Sequence, residues 1–158
     1  MMGKTHIAVG LTAGLGLCLI AHPTPDIALP TIGAALIGSL LPDIDTAHSK
    51  IGCRVPLLSW ILRIFFGHRQ FFHSLVCWVI VTALIWLCGG HWLVCTGFGI
   101  GTISHLFLDM LNPSGVQLLW PKDIRISIAK IRCGGLCDCM IALFCSAMAI
   151  WLGYIYLL

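Results

Sequence analysis

Five long apolar runs, separated by short polar segments, occupy most of this 158-residue chain. Charged residues make up only 9% of the sequence, against about 25% in an average soluble domain. A soluble domain of this length could not bury the 59% of residues that are apolar. The sequence therefore predicts an all-α polytopic membrane bundle, a single domain over residues 1–158, with about five transmembrane helices at 7–21, 27–41, 74–89, 92–108 and 139–157.

The basic residues predict the orientation of this bundle. All nine Lys and Arg residues fall on one side of the predicted spans: before the first, between the second and third, and between the fourth and fifth. By the positive-inside rule that side is cytoplasmic, so the N-terminus lies inside and the C-terminus outside. The net charge of +3 is small and scattered, which argues against nucleic acid as a partner.

Two polar connections carry further structure. Residues 50–67 place Arg54 and Arg63 around an apolar stretch that follows Pro56, which predicts an amphipathic helix lying in the membrane interface rather than a sixth span. Between the fourth and fifth runs, isoleucines alternate with polar residues over 124–128, which predicts a short strand or extended segment. The spacing of Cys133, Cys137 and Cys139 matches no strong zinc pattern, so a metal or redox role is the less favoured interpretation there.

Histidine and aspartate residues gather at the cytoplasmic ends of the apolar runs. Such residues are costly near a bilayer and tend to mark functional sites. They are also the ligands of zinc, manganese and non-haem iron centres. Because successive spans alternate in direction, four predicted helices deliver them to one plane. The sequence thus predicts a metal site, with zinc favoured over manganese or iron, whose candidate ligands are His6, Asp43, Asp45, His68, His73, His105 and Asp109.

The spacing within this set gives specific pairs. His105 and Asp109 are four apart on a predicted helix and share a face, so both could bind one metal, or Asp109 could orient His105. A hydrogen-bonded pair at a helix end is the alternative. Asp43 and Asp45 are two apart and could point the same way in an extended or turn segment. Carboxylates that close repel unless a cation or shared proton lies between them, the alternative being a solvated helix end.

Several catalytic mechanisms are excluded by the residues themselves. The chain contains no Glu, so it has no H-E-x-x-H motif, and it has neither a Walker loop nor a G-x-S-x-G elbow. Metal-assisted hydrolysis remains, in which a bound cation lowers the pKa of water and holds the departing oxygen. Arg69 is then the candidate for stabilising an anionic oxygen, or else an anchor for lipid phosphate, and Asp45 the candidate proton acceptor.

The same residues carry a family resemblance over most of the chain, as far as Pro121. They resemble the YdjM-like family of bacterial inner-membrane proteins, regarded as metal-dependent hydrolases, in Thr5-His6 with Gly10, in Leu41-Pro42-Asp43-Ile44-Asp45, in His68-Arg69 with Phe72-His73-Ser74, and in Ser104-His105 through Asp109 to Pro113-Ser114-Gly115. A more distant similarity links His105 and Asp109 to the helical H-x-x-x-D of zinc-dependent phospholipase C and the P1-type nucleases. The resemblance implies an inner-membrane location and hydrolysis of a phosphoester.

Three classes of function remain open. The leading hypothesis is a membrane-embedded metal hydrolase acting on a phosphoester such as a lipid headgroup, with membrane lipids as its partners. The second is a non-catalytic membrane adaptor whose structural metal joins the helix ends. An ion or proton transporter is less favoured, because such proteins place ionisable groups near the membrane midplane and the predicted helix centres carry none.

Overall fold

The computed structural model describes residues 1–46, 49, 52–66 and 71–158, with the backbone alone for residues 58, 62, 63, 65 and 66. Each of the five apolar runs forms a helix, and a sixth lies in the polar connection between the second and third. The α-helices are α1 (Gly3–Ala21), α2 (Pro25–Gly38), α3 (Pro56–Phe66), α4 (Leu75–Leu87), α5 (Trp92–Met110) and α6 (Leu136–Leu157). Short 3-10 helices at Leu41–Asp45, Gly52–Arg54 and Phe71–His73 connect α2, α3 and α4.

Local chemistry sets where several of these helices begin. Pro25 opens α2, where its missing N–H removes no helical hydrogen bond. The Ser74 hydroxyl accepts the backbone N–H of Cys77 at 3.2 Å and caps α4. His91 Nδ1 accepts the backbone N–H of Leu93 at 3.2 Å and caps α5. These caps satisfy N–H groups that the first turn leaves without helical partners.

Helix length and composition support fewer membrane crossings than the five predicted from the sequence. Among the described helices, three are long and apolar enough to cross a bilayer: α1, α5 and α6. Helices α2 and α4 are apolar but contain 14 and 13 residues, short of the about 20 that a straight crossing needs. The all-helical membrane architecture is therefore supported, whereas the prediction of about five spans is not confirmed.

The two polar connections differ in how far they match expectation. Helix α3 occupies most of the predicted 50–67 segment and exposes Leu57, Trp60 and Ile64; that it lies in the interface stays a prediction. The segment around residue 126 pairs through one antiparallel bridge between Val116 and Ile126. Within the described ranges it forms no strand, so only the extended alternative holds.

Helices α2 and α5 run parallel and in close contact. A Cβ atom on Gly101 would lie 2.1 Å from the Ala35 carbonyl oxygen, and one on Gly38 would lie 2.4 Å from the Phe98 carbonyl oxygen. Only glycine allows the two backbones to approach this closely. One turn beyond Ala35, the Ser39 carbonyl oxygen lies against His105. Both helices consequently end on the same side of the bundle.

Helices α1 and α6 also run parallel and begin on that same side. The buried carboxylate of Asp138, in the first turn of α6, accepts the Thr5 hydroxyl at 2.6 Å and the Met2 N–H at 3.0 Å. Further along, the Thr12 hydroxyl donates to the Cys145 carbonyl oxygen at 2.8 Å. The start of α1 therefore lies beside the ends of α2 and α5.

Candidate metal centre

Four of the candidate ligands meet at this end of the bundle. Asp43 lies in the Leu41–Asp45 3-10 helix that follows α2, and His73 ends the Phe71–His73 3-10 helix that precedes α4. His105 and Asp109 lie on one face of the last turns of α5. One ligand atom from each of the four residues lies within 4.8 Å of the other three. Sequence-distant segments thus form one candidate metal-binding cluster.

The distances within the cluster suit a small cation. Asp109 Oδ2 lies 3.5 Å from His73 Nε2 and 3.6 Å from His105 Nε2. Asp43 Oδ1 lies 3.6 Å and 3.8 Å from the same two nitrogens. In a tetrahedral site with metal–ligand bonds of about 2.0–2.2 Å, neighbouring ligand atoms are about 3.4 Å apart. The four atoms therefore surround a space that fits one divalent ion after small adjustments.

The histidine nitrogens support the same interpretation. Both ring nitrogens of His73, and Nε2 of His105, are buried and have no hydrogen-bond partner within the described part of the chain. Leaving a buried polar atom unpaired costs about 1–3 kcal/mol, so such atoms call for a partner of another kind. These residues thus fit a metal by their donor chemistry as well as by their spacing.

His105 is also oriented as a ligand should be. Its Nδ1 lies 2.8 Å from the carbonyl oxygen of Ser39. Because a carbonyl oxygen only accepts, Nδ1 carries a hydrogen, which leaves Nε2 as the ring nitrogen that faces Asp43 and Asp109 and can bind a metal. Histidines that bind metals commonly donate their other ring N–H to a backbone carbonyl, which fixes the tautomer and the ring orientation.

Asp43 and His73, the two cluster residues that lie outside the α-helices, shift each other's pKa in opposite directions. Burial by itself would raise the pKa of Asp43, but the neighbouring imidazoles of His73 and His105 lower it to about 2. Burial by itself would lower the pKa of His73, but the carboxylates of Asp109, Asp43 and Asp45 raise it to about 9. Without a cation, the protein therefore places a proton on His73 between two carboxylates.

His6 lies beside the cluster but outside the set of four. Its ring stacks on that of His105, with centroids 3.9 Å apart, and its Nε2 lies 3.4 Å from Asp109 Oδ1. The amino group of Met1 donates to the same oxygen at 2.6 Å. Asp109 therefore directs Oδ2 to His73 and His105, and Oδ1 to His6 and an amine. That His6 binds metal stays a prediction.

Asp45 is placed differently from the sequence expectation. The prediction assumed an extended or turn segment in which Asp43 and Asp45 point the same way, whereas the segment is a 3-10 helix. With three residues per turn, positions two apart diverge, so Asp45 is outside the four-residue group. It is fully buried, accepts the Thr46 hydroxyl at 3.2 Å, and is near enough for its charge to act on His73.

Two further candidates, the ligand His68 and the catalytic Arg69, lie outside the described residues, so their roles stay predictions. The cysteines near α6 are mostly at the surface, with Cys133 and Cys137 exposed and Cys139 half-buried. Among the described residues, these cysteines join no group of three potential ligands.

Sequence reasoning missed Asp138, a fully buried carboxylate. Besides Thr5 and Met2, it accepts the N–H of Gly134 at 2.8 Å, so it fixes the start of α1, and with it His6. The available indication was an acidic residue in the first turn of an apolar helix, where carboxylates meet unpaired N–H groups. The predicted span began at residue 139 and left Asp138 out.

The cluster opens to the surface on one side. The Asp43 side chain is 20% exposed, whereas those of His73, His105 and Asp109 are at most 4% exposed. A molecule that reaches the centre from outside would therefore meet Asp43 first.

Comparison with known proteins gives the family. The profile of the YdjM inner membrane protein family matches residues 1–158. The chain belongs to this family. It is 35% identical over 128 residues to the uncharacterized protein YvsG of Bacillus subtilis, covering 81% of this chain and 78% of YvsG. This member of the YdjM family is thus a membrane protein with a candidate metal-binding cluster.

Two relatives in Escherichia coli carry inner-membrane names. The chain is 36% identical over 102 residues to the inner membrane protein YdjM, covering 61% of this chain and 52% of YdjM. It is 34% identical over 125 residues to the inner membrane protein YbcI, covering 74% of this chain and 65% of YbcI. The chain thus spans about half of YdjM and about two thirds of YbcI. No solved structure matches the chain.

Proposed function

We propose that the protein is a membrane-embedded metal-dependent hydrolase that cleaves a phosphoester, such as a lipid headgroup, at the cytoplasmic face of the inner membrane. The observation that carries this proposal is the cluster itself. Two imidazole nitrogens and two carboxylate oxygens lie within 4.8 Å of one another, and Nε2 of both His73 and His105 is buried without a hydrogen-bond partner among the described residues. The family's inner-membrane name supports the membrane location.

The donor set indicates which ion the site would take. Two imidazoles and two carboxylates at near-tetrahedral spacing favour zinc, and the same donors accept manganese or iron. When bound, the ion would supply Lewis acidity, lowering the pKa of water and polarising a phosphoryl oxygen.

The remaining chemistry belongs to the chain's own residues. Asp45, buried near His73 but outside the four-ligand group, would accept the proton of the attacking water in place of the absent glutamate. Arg69 would stabilise the negative charge that develops on the phosphoryl oxygens. The opening at Asp43 would admit the headgroup, with α3 and the 110–121 loop at its sides.

A structural role for the metal is the second candidate. Its supporting observation is that the four residues complete a tetrahedral set from three separate segments, and structural zinc sites use four protein ligands. In that case the ion would join the ends of α2 and α5 to the start of α4, and the protein would be a membrane adaptor without catalysis.

The decisive experiment combines metal analysis with an activity assay. Protein purified in detergent would be presented in mixed micelles with phospholipids and isoprenoid phosphates, with and without a chelator. We expect stoichiometric metal and metal-dependent release of phosphate or headgroup, lost in Asp109→Asn and kept in Asp26→Asn. Asp26 is a suitable control because it lies exposed at the start of α2, at the other end of the bundle. Full metal occupancy without turnover of any phosphoester would favour the structural role.

We also propose that the cluster end of the bundle faces the cytoplasm, with the N-terminus inside and the C-terminus outside. Lys4 lies in the first turn of α1, at this end of the bundle. The connection between α5 and α6 lies at the same end and exposes Lys122, Arg125 and Lys130. Paired reporter fusions at the C-terminus test the orientation. A phosphatase reporter should be active and a cytoplasm-dependent fluorescent reporter dark; the reverse pattern would exclude this topology.

A further inference from the structure

A groove of about 520 Å³ runs along α4 and α5 and is lined by none of the four cluster residues. Its walls include Trp78, Val79 and Trp86 from α4, and Trp92, Gly99 and Ile103 from α5. None of the described residues that line it carries a charge. Its volume lies in the range of cavities that bind small ligands.

The threonine hydroxyls of the groove already use their hydrogens. Those of Thr82, Thr96 and Thr102 donate to carbonyl oxygens of their own helices, those of Trp78, Trp92 and Gly99, at 2.7–2.9 Å. These three side chains therefore offer a ligand no further hydrogen-bond donor. With its mostly apolar lining, the groove suits an apolar occupant.

The dimensions suit a slender occupant. From Leu75 to Trp86 the groove follows α4 for about 16 Å, at 1.5 Å per residue. An extended hydrocarbon chain fits a groove of this length.

One end of the groove adjoins the candidate metal centre. Leu75 follows His73 by two residues, and Thr102 precedes His105 by one helical turn, about 4.5 Å along the axis. Thr102 is buried on the α5 face that continues to His105 and Asp109. A chain lying in the groove therefore brings a polar group at its end towards the cluster.

We propose that this groove binds one fatty-acyl chain of a phospholipid whose phosphate lies at the Asp43, His73, His105 and Asp109 cluster. The inference rests on the proposed hydrolase function and narrows its substrate to a lipid held by its chain.

Gly99 provides the means to test this. A Cβ atom there would meet only Thr82, at 3.7 Å and 3.8 Å, so a larger side chain would enter the groove rather than the helix contact. Gly99→Phe should fill the groove. Ala83→Phe, on the opposite wall, is a second variant that does not depend on the same glycine. The matched control is Gly33→Phe on α2, where an added Cβ meets nothing within 4 Å.

The experiment uses full-length protein in nanodiscs with phosphatidic acid carrying a diazirine on one acyl chain. After irradiation, mass spectrometry should locate adducts on α4 and α5 residues of the groove, and unlabelled phosphatidic acid should compete. We expect at least a tenfold loss of these adducts in Gly99→Phe and Ala83→Phe, with wild-type labelling in Gly33→Phe and unchanged metal content in all three. Labelling spread over all lipid-facing helices, or unaffected by both groove variants, would overturn the proposal.

A soluble substrate separates this inference from the hydrolase proposal. If p-nitrophenyl phosphate is hydrolysed equally by wild type and Gly99→Phe while lipid hydrolysis falls, both proposals stand. Groove labelling that Gly99→Phe removes, in a protein that hydrolyses neither compound, would retain the lipid site and reject the hydrolase. If both groove variants hydrolyse the lipid and p-nitrophenyl phosphate as fast as the wild type does, the lipid site is rejected and the hydrolase proposal stands.

Discussion

His6 stacks on His105 with the two ring planes 17° apart, although one residue begins the first helix and the other lies near the end of the fifth. The stack holds one face of the His105 ring, and the Ser39 carbonyl holds its Nδ1. With rotation restricted in both ways, His105 Nε2 stays directed at the two carboxylates. The cluster is therefore ordered by residues outside the set of four, which reduces the cost of arranging the ligands when an ion binds.

The four-residue cluster predicts an order of mutational effects on metal binding. Asp109→Asn removes the negative charge of one ligand and His105→Ala removes a ligand nitrogen, so each should weaken metal affinity by about tenfold or more. His6→Ala removes only the stacking partner and should have a smaller effect. Metal content and affinity would be measured on purified protein by mass spectrometry and competition with a chromogenic chelator.

His91→Ala serves as the control for these variants because His91 caps α5 at its other end. It should retain wild-type affinity. Full occupancy in both Asp109→Asn and His105→Ala would show that these residues do not hold the ion.

Metal affinity should also depend on pH. In the protein without metal the pKa of His73 is raised to about 9 and that of Asp43 lowered to about 2, so between these values His73 is protonated and Asp43 ionised. A bound ion must displace the His73 proton, so affinity should fall by up to about tenfold per pH unit below pH 9 and level off above it. Calorimetric titrations in buffers of different ionisation enthalpy would measure the proton released; release of none at pH 7 would contradict this.

The contact of α2 with α5 predicts a sharp difference between two nearby glycines. Gly101→Ala places a Cβ 2.1 Å from a backbone oxygen of α2, so the helices must separate, at a cost of about 1–3 kcal/mol. Since Ser39 and Asp43 follow α2, metal affinity should fall as well. Gly99→Ala meets only ordinary contacts and should leave both quantities nearly unchanged. Thermal unfolding in detergent, with and without metal, compares the two; equal melting temperatures would mean that the close helix contact is wrong.

Asp138 predicts a stability effect at a carboxylate outside the four-residue cluster. Asp138→Ala would leave the Thr5 hydroxyl and the N–H groups of Met2 and Gly134 without their acceptor, which should cost at least about 1–3 kcal/mol. Asp138→Asn keeps one acceptor oxygen and should lose less. Melting temperatures in detergent would show this order, with Asp26→Ala as the exposed control; a neutral Asp138→Ala would remove its positioning role.

The sequence was informative where a pattern is local or repeated. Apolar length predicted all five apolar helices, and the alternation of their directions predicted that Asp43, His73, His105 and Asp109 would meet. The number of membrane crossings was harder to predict from the sequence, because α2 and α4 end at Gly38 and Leu87 and are shorter than the apolar runs suggested. The conformation of the segment after α2 separated Asp45 from Asp43, and residue spacing alone does not distinguish a 3-10 helix from a turn.

Contacts between the ends of the chain were the least predictable. Asp138 and Thr5 are 133 positions apart, and nothing near either residue indicates the other. Their pairing depends on how α6 packs against α1, which is a property of the assembled bundle.

That pairing has a consequence for biogenesis. Helix α1 leaves the ribosome before α6, yet the start of α1 is hydrogen-bonded to the start of α6. During synthesis, His6 can lie beside His105 once α5 has entered the bundle, but the hydrogen bonds from Thr5 and Met2 to Asp138 form only after α6 has been made. The position of α1, and with it that of His6, is therefore fixed late in the insertion of these helices.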